Sequence, residues 1–261
     1  MFRKNIETSG VEPPNIGSHL RNERACMGES IAENLSSIMQ KIERAARKSG
    51  RIASEVKLVA VTKTIDIKKI SEAIKAGATA FGENYVQEAQ EKIEKLNKKP
   101  VQWHFLGHLQ KNKAKFAVEL FDMIETIDSL DLAKELSKRA KKDIDILIQV
   151  NIAREKNKGG VDIKDVDKLV RKAAELPNIK IKGLMAIPPY QDNRELSRPY
   201  FVTLRRIAER VNRERIPNVS MRELSMGMSH DFEVAIEEGA TIVRIGRALF
   251  GERPAKKTVK N

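Results

Sequence analysis

Cysteine is almost absent from this chain: Cys26 is the only one among 261 residues. A single cysteine excludes an intramolecular disulfide, and no Cys/His spacing resembles a zinc site, so we expect a reducing compartment and no structural metal. The sequence also lacks any run approaching the roughly 20 apolar residues that a membrane-spanning helix requires, and its start lacks the apolar region of a signal peptide. These absences predict a soluble, cytoplasmic protein with no membrane partner.

Acidic residues are outnumbered by basic ones. The chain has 49 Lys and Arg against 36 Asp and Glu, which gives a net charge of +13. Such an excess is compatible with a nucleic-acid partner. The basic residues are, however, spread through acid-rich amphipathic segments such as 88–99 and 132–142. This pattern favours solvated helical faces, and we expect no nucleic-acid partner.

The chain divides into three parts by composition. Residues 1–27 are polar and have no sustained hydrophobic period, which predicts a disordered leader. Ser30 and Glu33 then form a capping-box pattern at the start of an amphipathic helix that precedes the first strand. We expect a single folded domain over residues 28–254 and a basic tail over residues 255–261.

Beyond this extra N-terminal helix, eight strand-like segments alternate with seven amphipathic stretches, each long enough for a right-handed crossover. This alternation predicts an α/β fold, a (β/α)8 TIM barrel, and the length is close to the roughly 250 residues typical of that fold. An open doubly wound sheet would more often stop at five or six strands. The predicted strands are 57–62, 79–82, 101–106, 123–127, 144–150, 180–186, 219–225 and 241–245, and the predicted helices are 67–76, 85–97, 110–120, 129–142, 162–176, 194–214 and 230–238.

A lysine ends the first predicted strand. Alternation along residues 58–63 puts Val59, Val61 and Lys63 on one face, with the amine at the carboxyl end, where barrels place their ligand chemistry. A lysine there is a candidate for imine formation with an aldehyde. The alternative is an ordinary solvated lysine.

Two small-residue segments follow the last two predicted strands, where barrels commonly bind phosphate. Residues 225–229, Ser-Met-Gly-Met-Ser, precede a helix, and Gly246-Arg247 precede a short helical turn. Small residues there let backbone N–H groups approach an anion, and a serine hydroxyl can donate to it. The pair predicts a phosphate site; each segment alone could be an ordinary helix cap. The residues singled out are Ser225, Met226, Gly227, Gly246 and Arg247.

Arg244 lies within the last predicted strand, and alternation turns it into the barrel together with Ile242. A buried guanidinium needs an acceptor. Two interpretations remain open: an internal ion pair with a carboxylate such as Glu125 or Glu223, and a contact with a ligand.

A lysine amine, a phosphate site and an inward arginine at one rim match what a phosphorylated aromatic aldehyde requires. This combination indicates pyridoxal 5′-phosphate (PLP). Four further residues could line the same cavity: Asn84, Tyr85, His104 and Met185. A hydrogen-bonded core histidine is the favoured interpretation for His104, and simple packing is the favoured interpretation for Met185.

Several sequence blocks resemble the pyridoxal phosphate homeostasis protein family, also called the YggS/PROSC family. The resemblance extends from about Ser30 to Arg253, and several blocks in order are more specific than any single motif. The blocks are LVAVTKT (58–64), FGENYVQE (81–88), WHFLGHLQKNK (103–113), QVNIAREKNKGG (149–160), GLMAIPP (183–189), LSMGMSHDFEVAI (224–236) and VRIGRALFG (243–251).

The resemblance implies a single-domain barrel of the alanine racemase N-terminal type that binds PLP covalently and carries or buffers it, with no catalytic residues. It further implies transient contact with PLP-dependent apoenzymes, and we expect a monomer. The residues implied to hold the cofactor are Lys63 for the internal aldimine, Ser225 with the backbone of Met226, Gly246 and Arg247 for the phosphate, and Arg244 for the pyridine nitrogen.

Two enzymatic alternatives share these features. One is a low-activity PLP-dependent amino-acid racemase, although we expect the second β domain of alanine racemases to be absent, because the chain ends shortly after the last barrel strand. The other is a Schiff-base aldolase acting on sugar phosphates, which would use the same lysine and phosphate site.

Overall fold

The computed structural model describes residues 30–96, 100–156 and 158–252. Eight parallel strands form a closed barrel in the order β1 to β8, and β8 pairs with β1. The strands are β1 Lys57–Val61, β2 Ala80–Glu83, β3 Gln102–Phe105, β4 Met123–Ile127, β5 Ile144–Gln149, β6 Ile179–Met185, β7 Val219–Met228 and β8 Ile242–Ile245. The α-helices are α1 Ile31–Lys48, α2 Ile67–Lys75, α3 Val86–Lys95, α4 Ala114–Leu120, α5 Leu130–Arg139, α6 Val166–Ala174, α7 Arg198–Arg213, α8 Phe232–Glu237 and α9 Arg247–Phe250.

The predicted (β/α)8 barrel and the extra N-terminal helix are confirmed. Each predicted strand overlaps an observed one, but β7 continues to Met228, three residues beyond its predicted end. The pairing of β7 with β8 explains the difference, since Ser225 lies opposite Ile242 and Met228 lies opposite Arg244. Three steps along β7 therefore match two along β8, which is a bulge. The predicted leader 1–27 and the tail 255–261 lie outside the described residues.

Helix α1 packs on the outside of the barrel against α8, α9 and α2. Its apolar face is buried, and Asn34 donates a hydrogen bond of 3.1 Å to the carbonyl of Leu249 on α9. Just after α1, the Arg51 guanidinium donates to the carbonyl of Ala240 at 2.9 Å. These contacts tie the helix to the segments on either side of β8. None of the helices in the described ranges combines the length and apolar character needed to cross a membrane.

The strand alternation divides the core into two layers. Val59, Met185 and Ile242 belong to a small cluster inside the barrel, whereas Ala60 and Val243 pack outward in the larger cluster between strands and helices. Because the interior is filled by side chains, it leaves no channel along the axis. Within the barrel that the structure describes, the room for a ligand is therefore at an end of the strands.

Candidate functional site

A cavity of about 500 Å³ opens at the carboxyl end of the barrel. It is lined by residues that end or follow β1, β2, β3, β6, β7 and β8, because the carboxyl ends of parallel strands meet at one rim. Five of the residues predicted from the sequence lie together on its wall: Lys63, Asn84, Arg244, Gly246 and Arg247.

Six other predicted residues do not line this cavity. Tyr85 is exposed and occupies the N-cap position of α3. Met185 is fully buried in the interior cluster, as the packing interpretation expected. Gly227 faces α8, where an added Cβ would approach the Cβ of Ala235 to 2.6 Å. The complete set is Tyr85, His104, Met185, Ser225, Met226 and Gly227.

His104 and Ser225 belong to a buried polar chain beneath the cavity. Nδ1 of His104 lies 2.6 Å from Oε1 of Glu125, and because a carboxylate only accepts, the ring nitrogen is assigned as the donor. The Ser225 hydroxyl donates to the other oxygen of Glu125. Arg244 donates to Ser225 Oγ at 2.6 Å and to the carbonyl of Ala186 at 2.9 Å. The chain thus runs from His104 to Arg244, and Ser225 is its bridge.

This buried hydrogen-bond network shows which groups accept hydrogen bonds from the inward-facing Arg244. Glu223 is not its partner in the described structure, since Glu223 accepts from the Thr241 hydroxyl at 2.6 Å. Glu125 balances the guanidinium through Ser225, while Arg244 also lines the cavity. The internal-pair and ligand-contact interpretations are therefore compatible with one another.

For both Glu125 and Arg244, burial and neighbouring groups shift the pKa in opposite directions. Burial alone would raise the pKa of Glu125, but hydrogen bonds from His104 and Ser225, with the charges of His104 and Arg244, outweigh it and hold that pKa below its ordinary value of 4.5. Burial lowers the pKa of Arg244, and the charges of Glu125 and Asp231 oppose this effect. Arginine nonetheless remains charged at neutral pH.

The cavity is also lined by residues that were not among the predicted site residues. Ser229 follows β7 directly, and its hydroxyl accepts a 3.3 Å hydrogen bond from the backbone N–H of Ala248 on α9. Tyr190 and His230 lie at the mouth with ring centroids 5.3 Å apart. The available signal for Ser229 was its place at the end of the segment 225–229, next to the helix that follows.

The chain is similar to a known family and to individual relatives over most of its length. Residues 33–254 match the family described as alanine racemase, N-terminal domain. A pyridoxal phosphate homeostasis protein from Aquifex aeolicus is 46% identical over 227 residues, covering 86% of this chain and 99% of that protein. The protein of the same name from Escherichia coli K12 is 40% identical over 237 residues, covering 87% of this chain and 98% of its own length.

Solved structures agree with this assignment. PipY from Synechococcus elongatus PCC7942, solved with PLP bound, is 36% identical with a TM-score of 0.74, covering 85% of this chain and all of that one. Alanine racemase from Corynebacterium glutamicum has a TM-score of 0.63 at 17% identity, covers 85% of this chain and 63% of that one, and thus shares the fold alone. The closed barrel and its carboxyl-end cavity define the class as barrels of the alanine racemase N-terminal type. Within that class, the chain belongs to the family of pyridoxal phosphate homeostasis proteins.

Replacing Glu125 with Gln should lower the free energy of unfolding at pH 7 by about 3 kcal/mol, because it breaks a fully buried charged chain. The folded-state pKa of Glu125 lies below the unfolded value near 4.5, so its contribution is complete above pH 4.5 and is lost as the pH falls through the folded value. Urea unfolding at several pH values measures the difference between wild type and variant. It should shrink below pH 4.5.

The exposed Glu119 provides the control, and Glu119→Gln should change the unfolding free energy by less than about 0.5 kcal/mol. A difference between wild type and Glu125→Gln that stays constant down to pH 3 would contradict the role assigned to the Glu125 charge.

Proposed function

We propose that this protein binds PLP at the carboxyl end of its barrel, attached covalently to Lys63, and acts in intracellular PLP homeostasis as a carrier and buffer. One observation carries the proposal: a single cavity of about 500 Å³ is lined by the amine of Lys63, by the buried Arg244, and by Ser229 and Arg247. The PLP-bound structure of PipY and the names of the relatives support the same ligand.

The residues fit the chemistry of this cofactor. When bound, PLP supplies an aldehyde that amines attack and a ring that can accept electrons. The neutral amine of Lys63 would add to the aldehyde carbon and displace its oxygen as one molecule of water, leaving a carbon–nitrogen double bond. Asn84 lines the same wall and offers both donor and acceptor atoms.

In the predicted phosphate site, we replace Ser225 with another serine. Ser225 has a fully buried hydroxyl that already donates to Glu125 and accepts from Arg244. Ser229 lines the cavity beside Gly246 and Arg247, so we assign the hydroxyl contact with the phosphate to Ser229. Arg247 adds a guanidinium, which suits phosphate in charge and geometry.

Arg244 favours a carrier over a catalyst. A cationic guanidinium at the pyridine nitrogen opposes protonation of that nitrogen, which weakens the ring as an electron sink. The buried chain to Glu125 holds this guanidinium in place at the cavity floor. We therefore propose that the protein has no physiological turnover.

We propose a cytoplasmic monomer that gives PLP to apoenzymes through transient contact. Charged residues on the outer helices support the monomer, because they pair within the chain: Arg198 on α7, for example, forms ion pairs with Glu195, Glu237 and Glu238.

Lys63→Ala should abolish covalent attachment. Wild-type protein mixed with PLP should absorb at roughly 410–430 nm and, after borohydride reduction, retain the ligand on the peptide that contains Lys63. The variant should show neither signal, whereas Lys68→Ala, which changes an exposed lysine on neighbouring α2, should behave like wild type. Trapping of the ligand on another lysine in the wild type would refute the assignment.

Ser229→Ala should weaken binding of PLP about tenfold while leaving the affinity for pyridoxal, which has no phosphate, within twofold of wild type. Ser225→Ala is the matched comparison and should alter both affinities by the same factor, because its hydroxyl lies in the buried chain. Equilibrium titration with both aldehydes measures the two ratios. If Ser225→Ala alone is selective for the phosphate, our reassignment fails.

The racemase alternative draws support from Tyr190 and His230, two acid–base side chains at the cavity mouth. Incubation of the loaded protein with L-alanine or L-serine in D2O, followed by NMR of the α-proton, separates the alternatives. A carrier should exchange no faster than free PLP at the same concentration. Exchange more than tenfold above that level, and lost in a Tyr190→Phe variant, would establish catalysis.

A further inference from the structure

Lys92 lies behind the strand end that carries Lys63. It belongs to α3, is only 6% exposed, and its ammonium group donates three hydrogen bonds. The acceptors are Oε1 of Glu83 at 2.7 Å, Oε1 of Glu88 at 2.6 Å and the carbonyl oxygen of Thr62 at 2.6 Å. An ammonium has three N–H donors, so each is matched by an acceptor.

The same carboxylates reach both neighbours of Lys63 in the chain. On one side, the Thr62 hydroxyl donates to Oε1 of Glu83 at 2.6 Å. On the other side, the backbone N–H of Thr64 donates to Oε1 of Glu88 at 2.6 Å. Lys63 is therefore held between two anchors that meet at one buried ammonium. We call this set of five residues, Thr62, Thr64, Glu83, Glu88 and Lys92, the Lys92 clamp.

The backbone within the clamp is strained. The N–H of Ile65 donates to the carbonyl of Thr62 at 2.9 Å, which closes a turn with Lys63 and Thr64 at its centre. Thr64 has a φ of +64°, a left-handed conformation that such turns normally give to glycine and that a β-branched residue rarely adopts. A conformation of this kind persists only where its surroundings impose it. The bond to Glu88 is one such constraint.

Further costs lie in the same cluster. Oε2 of Glu83 is buried without a hydrogen-bond partner among the described residues, which is unfavourable for a carboxylate. Burial raises the pKa of Glu83 above 4.5, and the charge of Lys92 opposes this effect. A buried orphan oxygen and a strained threonine flank the one residue that carries the proposed chemistry. Strain of this kind clusters at functional sites.

We propose that the Lys92 clamp is a positioning device that directs the Lys63 amine toward the aldehyde of the ligand. None of its five residues lines the cavity, so it acts through the backbone on either side of Lys63 and does not touch the ligand. The inference rests on the proposed function. Fixing the attacking atom in advance is a large source of rate, and a misplacement of about 1 Å can cost 100-fold.

The test compares Glu88→Ala and Thr64→Gly with wild type. The first removes the acceptor of the Thr64 N–H, and the second widens the range of backbone conformations open to the turn, because glycine has no Cβ. Both should slow the appearance of the borohydride-trappable bond to PLP about tenfold. Both should bind pyridoxine 5′-phosphate, which has an alcohol in place of the aldehyde, within twofold of wild type. The thermal midpoint of Thr64→Gly should be unchanged or higher.

Two further variants sharpen the comparison. Glu91→Ala removes a carboxylate from the same helix that, among the described residues, forms an ion pair only with the exposed Lys95, at 4.0 Å, and should attach PLP at the wild-type rate. Glu88→Gln keeps an acceptor oxygen for Thr64 and should restore most of the rate. A structural role alone would move the thermal midpoint together with the rate and would also weaken binding of pyridoxine 5′-phosphate.

Attachment at the wild-type rate in both Glu88→Ala and Thr64→Gly would overturn the clamp. Parallel losses of rate, analogue affinity and thermal midpoint in both variants would also overturn it, since they would assign the cluster to folding. If the wild-type protein itself binds pyridoxine 5′-phosphate but forms no trappable bond with PLP, the covalent attachment in the proposed function fails, which is a result distinct from either of these.

Discussion

Pairing of β8 with β1 is the constraint on which the site depends. In that register Val59 lies opposite Arg244, so the two strands contribute neighbouring positions to the interior of the barrel. Lys63 stands four residues beyond Val59 and Arg247 three beyond Arg244, at the same rim. An open sheet would leave these strands at opposite edges, far apart. Closure of the barrel therefore unites groups that are more than 180 residues apart in the sequence.

Beneath the rim, a network of hydrogen-bonded polar side chains lies within the otherwise apolar interior of the barrel. His104, Glu125, Ser225 and Arg244 come from four different strands. The bond from Ser225 to Glu125 crosses the interior from β7 to β4, whereas the other two bonds join neighbouring strands. Because these groups are buried, each is costly alone and stable only in the presence of the others. The arginine is consequently held at the cavity floor by its neighbours.

The sequence could predict most of the fold because hydrophobic alternation and strand length report directly on it. It also predicted that Lys63 and Arg244 face the same cavity, because two-residue alternation determines which way a strand residue points. The end of β7 was harder. The bulge opposite Ile242 and Arg244 adds a residue to β7 that the polarity pattern does not reveal, and β7 continues beyond Ser225, so Ser229 lines the cavity while Ser225 lies in the buried network beneath it. The left-handed Thr64 has no signal of its own, because glycine is the usual marker of such turns.

The buried hydrogen-bond network also affects the electrostatic attraction between the protein and an incoming anion. Glu125 offsets Arg244 inside the barrel, and the basic side chains of Lys63 and Arg247 place positive charge at the rim, where a phosphate monoester would enter. Attraction from groups near the surface is screened over about 8 Å at physiological ionic strength. Electrostatic capture of the anion is then short-ranged. Inside a cell, where salt varies little, occupancy would follow the free concentration of the ligand, which is the behaviour that a reserve of a reactive metabolite needs.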